Sequence, residues 1–145
     1  MAMRHQIVIE PFVGVGPILF GMHKDEVGRA FRYVYKSFLK GPDATVRADD
    51  IEYVGLIVHY STEKLVDYIE VFQAPGATVE LFGRDITGIS VRALVDFLSP
   101  RFLSTKNEYG YDFPEVGLNT YNSEVDWEDD PVQCLGVASR DYWRT

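Results

Sequence analysis

Two tripeptides of this chain recur at one common spacing, and this repetition constrains the fold more than any other feature. The pairs are Leu19-Phe20-Gly21 with Leu81-Phe82-Gly83, and Val54-Gly55-Leu56 with Val116-Gly117-Leu118, each 62 positions apart. Segments that repeat at a fixed spacing fold into similar units that pack side by side. The sequence therefore predicts two internal repeats, approximately residues 5–74 and 75–140, inside one domain spanning residues 1–145.

Hydrophobic periodicity predicts the elements of each repeat. Alternating apolar residues and flanking turn residues predict strands at 6–12, 53–60, 65–73, 77–82, 115–121 and 132–138. Val27, Phe31, Val34 and Phe38 have helical spacing and predict a helix over residues 23–40. A second helix is predicted from Ser90, which can cap it, to Pro100, which ends it.

The order of these elements predicts an α+β fold. Each half follows the pattern β-(β)-α-β-β, and an amphipathic helix must cover an apolar sheet face. Two such units side by side predict one antiparallel sheet of about six strands with both helices packed on one face. The opposite sheet face, and the loops at its ends, are then available for a partner.

The charge of the chain is negative and unevenly distributed. The formal net charge is −8, and residues 104–145 carry three basic and nine acidic side chains. Binding of nucleic acid requires clustered lysines and arginines, so this balance disfavours a nucleic-acid partner and favours a basic protein. The apolar runs are too short for a membrane helix, the first ten residues lack a signal-peptide pattern, and the single cysteine needs no oxidising compartment. We therefore expect a cytoplasmic protein with no membrane partner.

The segment Gly16-Pro17-Ile18-Leu19-Phe20-Gly21-Met22-His23-Lys24-Asp25-Glu26-Val27 resembles the helix entry of small α+β repeat proteins. These are the β-lactamase-inhibitor-protein-like and outer-membrane-assembly lipoprotein superfamily, together with immunity proteins of bacterial polymorphic toxins. His23 stands where those families often have Ser or Thr, at the helix cap with Glu26 in the capping-box position. The resemblance implies a tandem α+β fold and a binding role, without transferable active-site residues.

Catalytic and metal-binding motifs do not stand out. The three histidines, His5, His23 and His59, do not match a zinc spacing, and Cys134 has neither Cys nor His near it in sequence. We find no nucleophile elbow, phosphate loop or dinucleotide motif. The sequence predicts a non-enzymatic protein without cofactor or metal. His59 is expected on the sheet face opposite the apolar set, and an enzyme using that face remains an alternative.

The sharpest local signal is an acidic connection, residues 123–131, that contains a tryptophan. Five carboxylates surround Trp127 within seven residues. One interpretation is a solvated hairpin loop that protects an edge strand from aggregation. The other is a recognition loop, in which carboxylates engage a basic partner and the indole is an apolar anchor. Calcium binding lacks the required ligand spacing. The predicted partner-binding residues are Tyr121, Glu124, Asp126, Trp127, Glu128, Asp129 and Asp130.

A row of cations offers a second partner for this acidic connection. Arg29, Arg32, Lys36 and Lys40 are expected on one face of the first helix. They would form either a solvated face or a homodimer contact with the acidic connection of a second copy. The leading hypothesis is an immunity-type inhibitor of a basic toxin or nuclease. The alternatives are a self-associating structural protein and the small enzyme around His59.

Overall fold

The computed structural model describes residues 4–30, 36–39, 41 and 46–142. These residues form two α-helices, α1 (Lys24–Ala30) and α2 (Val91–Leu98), and two 3-10 turns, Glu52–Val54 and Trp127–Asp129. Their strands, in chain order, are β1 (His5–Glu10), β2 (Gly14–Val15), β3 (Ile18–Leu19), β4 (Lys36–Phe38), β5 (Ala48–Ile51), β6 (Leu56–Tyr60), β7 (Val66–Val71), β8 (Ala77–Leu81), β9 (Arg84–Asp85), β10 (Thr105–Lys106), β11 (Tyr111–Phe113), β12 (Leu118–Tyr121) and β13 (Cys134–Ala138). The α+β class is confirmed.

The strands form two sheets instead of one sheet of about six strands. A smaller sheet has the order β3-β2-β1-β8-β9, and a larger one has the order β10-β11-β12-β13-β7-β6-β5-β4. The central pair of the smaller sheet, β1 and β8, is parallel, with Ile7 opposite Val79. The predicted single sheet is wrong because periodicity identifies strands but does not identify the distant strand with which each one pairs.

The larger sheet is symmetric in strand order about its β7–β13 pair. On one side lie β6, β5 and β4, and on the other lie β12, β11 and β10, all joined by antiparallel pairing. A helix precedes each four-strand meander, α1 before β4 and α2 before β10. A duplication would produce this order, and the duplication itself stays a prediction.

The repeated glycines Gly55 and Gly117 occupy matching places at the starts of β6 and β12. Their φ angles are 73° and 65°, in the left-handed region that disfavours other residues. A Cβ on Gly55 would lie 2.3 Å from the Phe72 carbonyl oxygen, and one on Gly117 would lie 2.9 Å from the Ala138 carbonyl oxygen. The repeated tripeptide therefore has a conformational cause, since each strand enters the sheet beside a close backbone neighbour.

The two helices differ in how well the sequence predicted them. Ser90 caps α2 by accepting a hydrogen bond from the Ala93 amide (3.1 Å), and the helix ends at Leu98, as predicted. The helix predicted over residues 23–40 is wrong in its last part, because Lys36–Phe38 is strand β4, paired antiparallel with β5. Phe31 and Val34, which supported the longer helix, lie outside the described residues.

Both helices contribute to the apolar core that the two sheets enclose. Val27 of α1 and Leu94 of α2 belong to the same buried cluster as Ile7, Leu56 and Leu135 of the sheets. The opposite face of the larger sheet therefore carries the alternate residues of β6, β7, β12 and β13. The loops at the ends of these strands hold the side chains considered next.

Candidate functional site

The acidic connection folds back onto the start of α2. The Val91 amide donates to the Asp130 carbonyl (2.9 Å), and the Val132 amide donates to the Ile89 carbonyl (2.9 Å). Pro131 thereby forms an isolated antiparallel bridge with Ser90, the cap of the helix. The C-terminal end of the acidic connection is therefore held against α2 by backbone hydrogen bonds.

Trp127 lies inside this arrangement, in contrast to its predicted role as a surface anchor. Its side chain is buried, and its Nε1 donates to the Glu108 carbonyl at 3.1 Å. The Tyr111 ring meets the indole edge to face at 5.9 Å, and Lys106 Nζ lies 5.6 Å from the indole centroid. The indole therefore stabilises the connection, and the hypothesis that it inserts into a partner must be corrected.

Two predicted carboxylates are occupied by cations of the same chain. Arg92 Nε donates to Asp129 (2.7 Å) and Arg92 Nη2 to Glu128 (3.4 Å), while Lys106 also pairs with Glu128. The hydrogen bond from Lys106 lowers the pKa of Glu128, and the hydrogen bond to Asp129 raises the pKa of Arg92. Glu128 and Asp129 thus attach the connection to α2 and β10.

Tyr121 points outward and joins a tyrosine that the sequence did not single out. The centre of its ring lies 5.3 Å from that of Tyr109, which is in the turn between β10 and β11. Tyr121 is 42% exposed and Tyr109 is 47% exposed. The Asn122 amide donates to the Tyr109 carbonyl at 2.8 Å, which connects the two loops. Val125, beyond them, is 87% exposed.

Three carboxylates accompany these outward side chains. Glu124 and Asp126 belong to the acidic connection, and Glu108 precedes Tyr109. All three are exposed, and their side chains make no ion pair or hydrogen bond within the part of the chain that the structure describes. We call this surface the tyrosine patch; its members are Glu108, Tyr109, Tyr121, Glu124, Val125 and Asp126.

The seven predicted site residues therefore separate into two groups. Tyr121, Glu124 and Asp126 lie in the tyrosine patch, whereas Trp127, Glu128, Asp129 and Asp130 bind the connection to the rest of the molecule; the Asp130 side chain itself is exposed. Sequence reasoning missed Glu108 and Tyr109 because they come from another hairpin. The available signal was a tyrosine beside Gly110 in a turn, where an aromatic side chain has no core to enter.

His59 lies on the sheet face opposite the core, as its alternation predicted, but it is buried there within a polar cluster instead of facing solvent. Its Nε2 lies 2.5 Å from Glu70 Oε1, and the Cys134 thiol donates to Glu70 Oε2 at 3.4 Å. Tyr68 OH donates to Asn119 Oδ1 at 3.0 Å in the same region, and burial raises the pKa of Tyr68. A carboxylate is thus within reach of His59, but the thiol contacts Glu70 instead of the imidazole.

Within the described residues, no group of three His, Cys, Asp or Glu side chains is arranged to hold a metal ion. In the same part of the chain, the helices are too short to cross a membrane. Comparison with known proteins finds no matching family model, no similar curated protein and no similar solved structure.

Proposed function

We propose that this protein is a non-enzymatic binding module that recognises a basic protein through the tyrosine patch. In its most concrete form, it is a cytoplasmic immunity-type inhibitor that covers the basic surface of a toxin or nuclease. The observation that carries the proposal is the pair of exposed, adjacent rings of Tyr109 and Tyr121 beside three carboxylates that have no cation within the described residues.

The composition of the tyrosine patch suits protein recognition. Tyrosine gives a large contact area with little loss of side-chain freedom, and it is enriched among the residues that dominate binding energy. Carboxylates around such a centre attract a cationic partner and orient it during encounter. Exposed apolar residues such as Val125 become favourable contacts only when a partner covers them.

The attached part of the acidic connection, Trp127 to Asp130, supports the same function because it fixes the position of the exposed part, Glu124 to Asp126. Trp127 and the backbone bonds to α2 restrict the loop before any partner arrives. A loop that is ordered in advance loses less conformational entropy on binding. The burial of Trp127, which removes it as an anchor, thus prepares Tyr121 and Asp126 for contact.

A nuclease is a chemically suitable target because its substrate is a polyanion. Its binding surface must present cations to phosphate groups. This protein has a net charge of −8, and residues 104–145 carry most of it. Long-range electrostatic attraction therefore draws it toward such a cationic surface before the two proteins touch. Occlusion of the surface then requires no catalytic group.

The test begins with a search for a reading frame beside this one that encodes a large secreted protein with a basic C-terminal domain, and then uses that purified domain as the partner. Association rates are measured at about 50 and 500 mM salt, which changes the screening length severalfold. A variant with Glu108→Gln, Glu124→Gln and Asp126→Asn should associate at least about tenfold more slowly at low salt. A control with Glu10→Gln, Glu52→Gln and Glu63→Gln removes the same charge from exposed sites elsewhere.

Equal association rates for the two triple variants, or rates that do not depend on salt, would contradict the proposal. Growth of cells that co-produce the toxin domain provides a second measurement. Replacement of Tyr109 and Tyr121 by serine should accelerate dissociation about thirtyfold and abolish protection. Full protection by that variant would remove the tyrosine patch as the recognition surface.

Self-association is a second candidate, favoured by an exposed apolar surface that carries one arginine. Phe82, which is 40% exposed, stacks on Phe102 at 5.6 Å, with Arg101 lying 6.0 Å from the Phe82 ring and Leu103 79% exposed. These side chains complement the tyrosine patch of a second copy. Sedimentation as a dimer that dissociates on Arg101→Glu substitution would support this candidate.

The homodimer contact first expected from a cationic helix face needs a correction. Two of its four residues are described, and they lie in different elements: Arg29 in α1 and Lys36 in β4. Arg32 and Lys40 lie outside the described residues. A strand and a helix do not present one continuous face, so this contact is not proposed again.

A further inference from the structure

The ion pair between Lys24 and Asp49 also uses an aromatic ring. The Lys24 ammonium lies 4.7 Å from the centre of the Tyr60 ring and 2.7 Å from Asp49 Oδ1. The face of an aromatic ring attracts a cation electrostatically, and a carboxylate beside it adds an opposite charge and a hydrogen bond. A ring face combined with a carboxylate is therefore an arrangement that holds a cation in this fold.

The same arrangement occurs in the acidic connection, next to the tyrosine patch. The Lys106 ammonium lies 5.6 Å from the centre of the Trp127 indole and 5.9 Å from the centre of the Tyr111 ring. It also pairs with the Glu128 carboxylate. Because Asp126 of the tyrosine patch directly precedes Trp127, two rings and a carboxylate hold a lysine immediately beside the patch.

The tyrosine patch has the same composition on the outside of the molecule. The centres of the Tyr109 and Tyr121 rings are 5.3 Å apart, and the ring planes are inclined by 30°. Two hydrogen bonds hold their loops together: the Asn122 amide donates to the Tyr109 carbonyl (2.8 Å), and Trp127 Nε1 donates to the Glu108 carbonyl (3.1 Å). The ring pair and the neighbouring carboxylates are therefore held close together before a partner binds.

The tyrosine patch differs from the two internal arrangements in the source of its cation. Asp49 and Glu128 each pair with a lysine of the same chain, whereas the carboxylates of the tyrosine patch contact no cation among the described residues. Tyr109 and Tyr121 are both exposed. A cation of another molecule therefore has access to the ring faces and to the carboxylates at once.

We propose that the tyrosine patch binds an arginine side chain of its partner. A guanidinium group is planar, so it lies flat on a tyrosine ring while its N–H groups donate to carboxylates around the ring. A lysine ammonium is more strongly hydrated and loses more when it leaves water. The two internal lysines are placed by the fold itself, whereas a partner's side chain must gain its binding energy from the patch. This inference rests on the proposed binding function and specifies which basic side chain the partner presents.

The probes are two blocked peptides of equal charge, Gly-Arg-Gly-Arg-Gly and Gly-Lys-Gly-Lys-Gly. Each is titrated into the isotope-labelled protein and followed by two-dimensional NMR of the backbone amides. Saturable shifts are expected for Tyr109, Tyr121 and Asp126, and the arginine peptide should bind about fivefold more tightly than the lysine peptide. The amide of Glu63, in the β6–β7 turn, should be unaffected. Equal affinities of the two peptides, or no saturable shift at the tyrosine patch, would overturn the inference.

Two pairs of variants separate the contribution of the ring from that of the charge. Tyr121→Leu removes the ring face and should weaken binding of the arginine peptide about fivefold, whereas Tyr121→Phe keeps the face and should retain the preference for arginine. Asp126→Asn should weaken binding of both peptides about threefold, and asparagine tolerates the left-handed backbone at this position (φ 57°). Glu63→Gln, the exposed control of equal charge, should change neither affinity measurably. A Tyr121→Leu variant that keeps the arginine preference would contradict the inference.

The arginine inference and the proposed function fail on different results. Equal binding of the two peptides, together with salt-dependent association of the toxin domain, would refute the arginine inference and leave the proposed function standing. Salt-independent association of the toxin domain, together with a preference for the arginine peptide, would refute the proposed function and leave the tyrosine patch as an arginine site.

Discussion

The β6–β7 and β12–β13 hairpins occupy equivalent positions in the larger sheet, but their connecting loops differ in length and composition. The β6–β7 hairpin reaches the start of α1 through an antiparallel bridge between Leu65 and His23. The β12–β13 hairpin reaches the start of α2 through a bridge between Pro131 and Ser90. Each meander is thus attached to the capping residue of its own helix by the same kind of contact.

The difference lies in what each hairpin carries beyond that contact. The first is a tight turn, in which the Ser61 amide donates to the Leu65 carbonyl (2.8 Å) and the Lys64 amide to the Ser61 carbonyl (2.9 Å). The second adds the acidic connection, with Trp127 inside and the tyrosine patch outside. The comparison teaches that attachment to the helix needs only a short turn, so the additional residues of the second hairpin are available for recognition.

The largest expected effect comes from removing the buried indole of Trp127, which tests whether this part of the second hairpin belongs to the folded core. Trp127→Ala should lower the free energy of unfolding by about 3 kcal/mol, because a large buried side chain and its hydrogen bond to Glu108 are both lost. Trp127→Phe, the control, should cost about 1 kcal/mol, mainly for the hydrogen bond. Urea denaturation measures both values, and a cost below about 1 kcal/mol for the alanine variant would show that the connection is not part of the folded core.

The first hairpin offers a counterpart in a buried ion pair near α1. Lys24 Nζ lies 2.7 Å from Asp49 Oδ1, and Tyr60 OH donates to Asp49 Oδ2 at 2.6 Å. The Asp49 side chain is 1% exposed, so Lys24→Met should lower the free energy of unfolding by about 2 kcal/mol, with Tyr60 still satisfying part of the carboxylate. High salt should not reduce this cost in urea titrations; a cost that disappears in salt would place the pair at the surface.

The corresponding pairs of the second hairpin are exposed and should behave differently. Because Lys106 lowers the pKa of Glu128 below its ordinary value of 4.5, the pair stabilises the fold above that pH and loses its effect as the pH falls further. When the pH is lowered from about 6 to about 3, the Tm of the wild type should therefore fall more than the Tm of Glu128→Gln. The difference between the two decreases should be less than about 3 °C. A difference that persists in about 1 M salt would contradict an exposed pair.

The smallest effect on stability is expected for the outermost residues. Replacement of both Tyr109 and Tyr121 by serine should change the free energy of unfolding by less than about 1 kcal/mol, since both residues are nearly half exposed and lie outside the buried core. The same variant should lose partner binding, so stability and recognition would respond to opposite halves of the hairpin. A large loss of stability would mean that the tyrosines serve the fold instead of a partner.

Local sequence signals predicted the local elements of this molecule well. Ser90 and Pro100 correctly bracketed α2, and alternation placed β6, β7 and β13 close to their observed bounds. These elements depend on capping groups and on which face is apolar, and both are properties of neighbouring residues. The extended helix failed in its last part, because an aromatic residue such as Phe38 suits a strand as well as a helix.

Pairing and loop placement were beyond such reasoning. The parallel β1–β8 pair joins residues from opposite halves of the chain, and nothing in the composition of Ile7 or Val79 names its neighbour. Likewise, the sequence does not show that two of the five carboxylates around Trp127, those of Glu128 and Asp129, are paired, because their cations Arg92 and Lys106 are distant in sequence. Only the fold reveals that Tyr109 stands beside Tyr121.

The central position of the β7–β13 pair has a consequence for how the protein is made. Val71 of β7 faces Leu135 of β13, which lies 64 positions further along the chain. During synthesis on the ribosome, one edge of β7 therefore keeps unpaired backbone groups until β13 has been translated. Chains that are truncated before β13 should expose the unpaired edge of β7 and aggregate more readily than chains that contain β13.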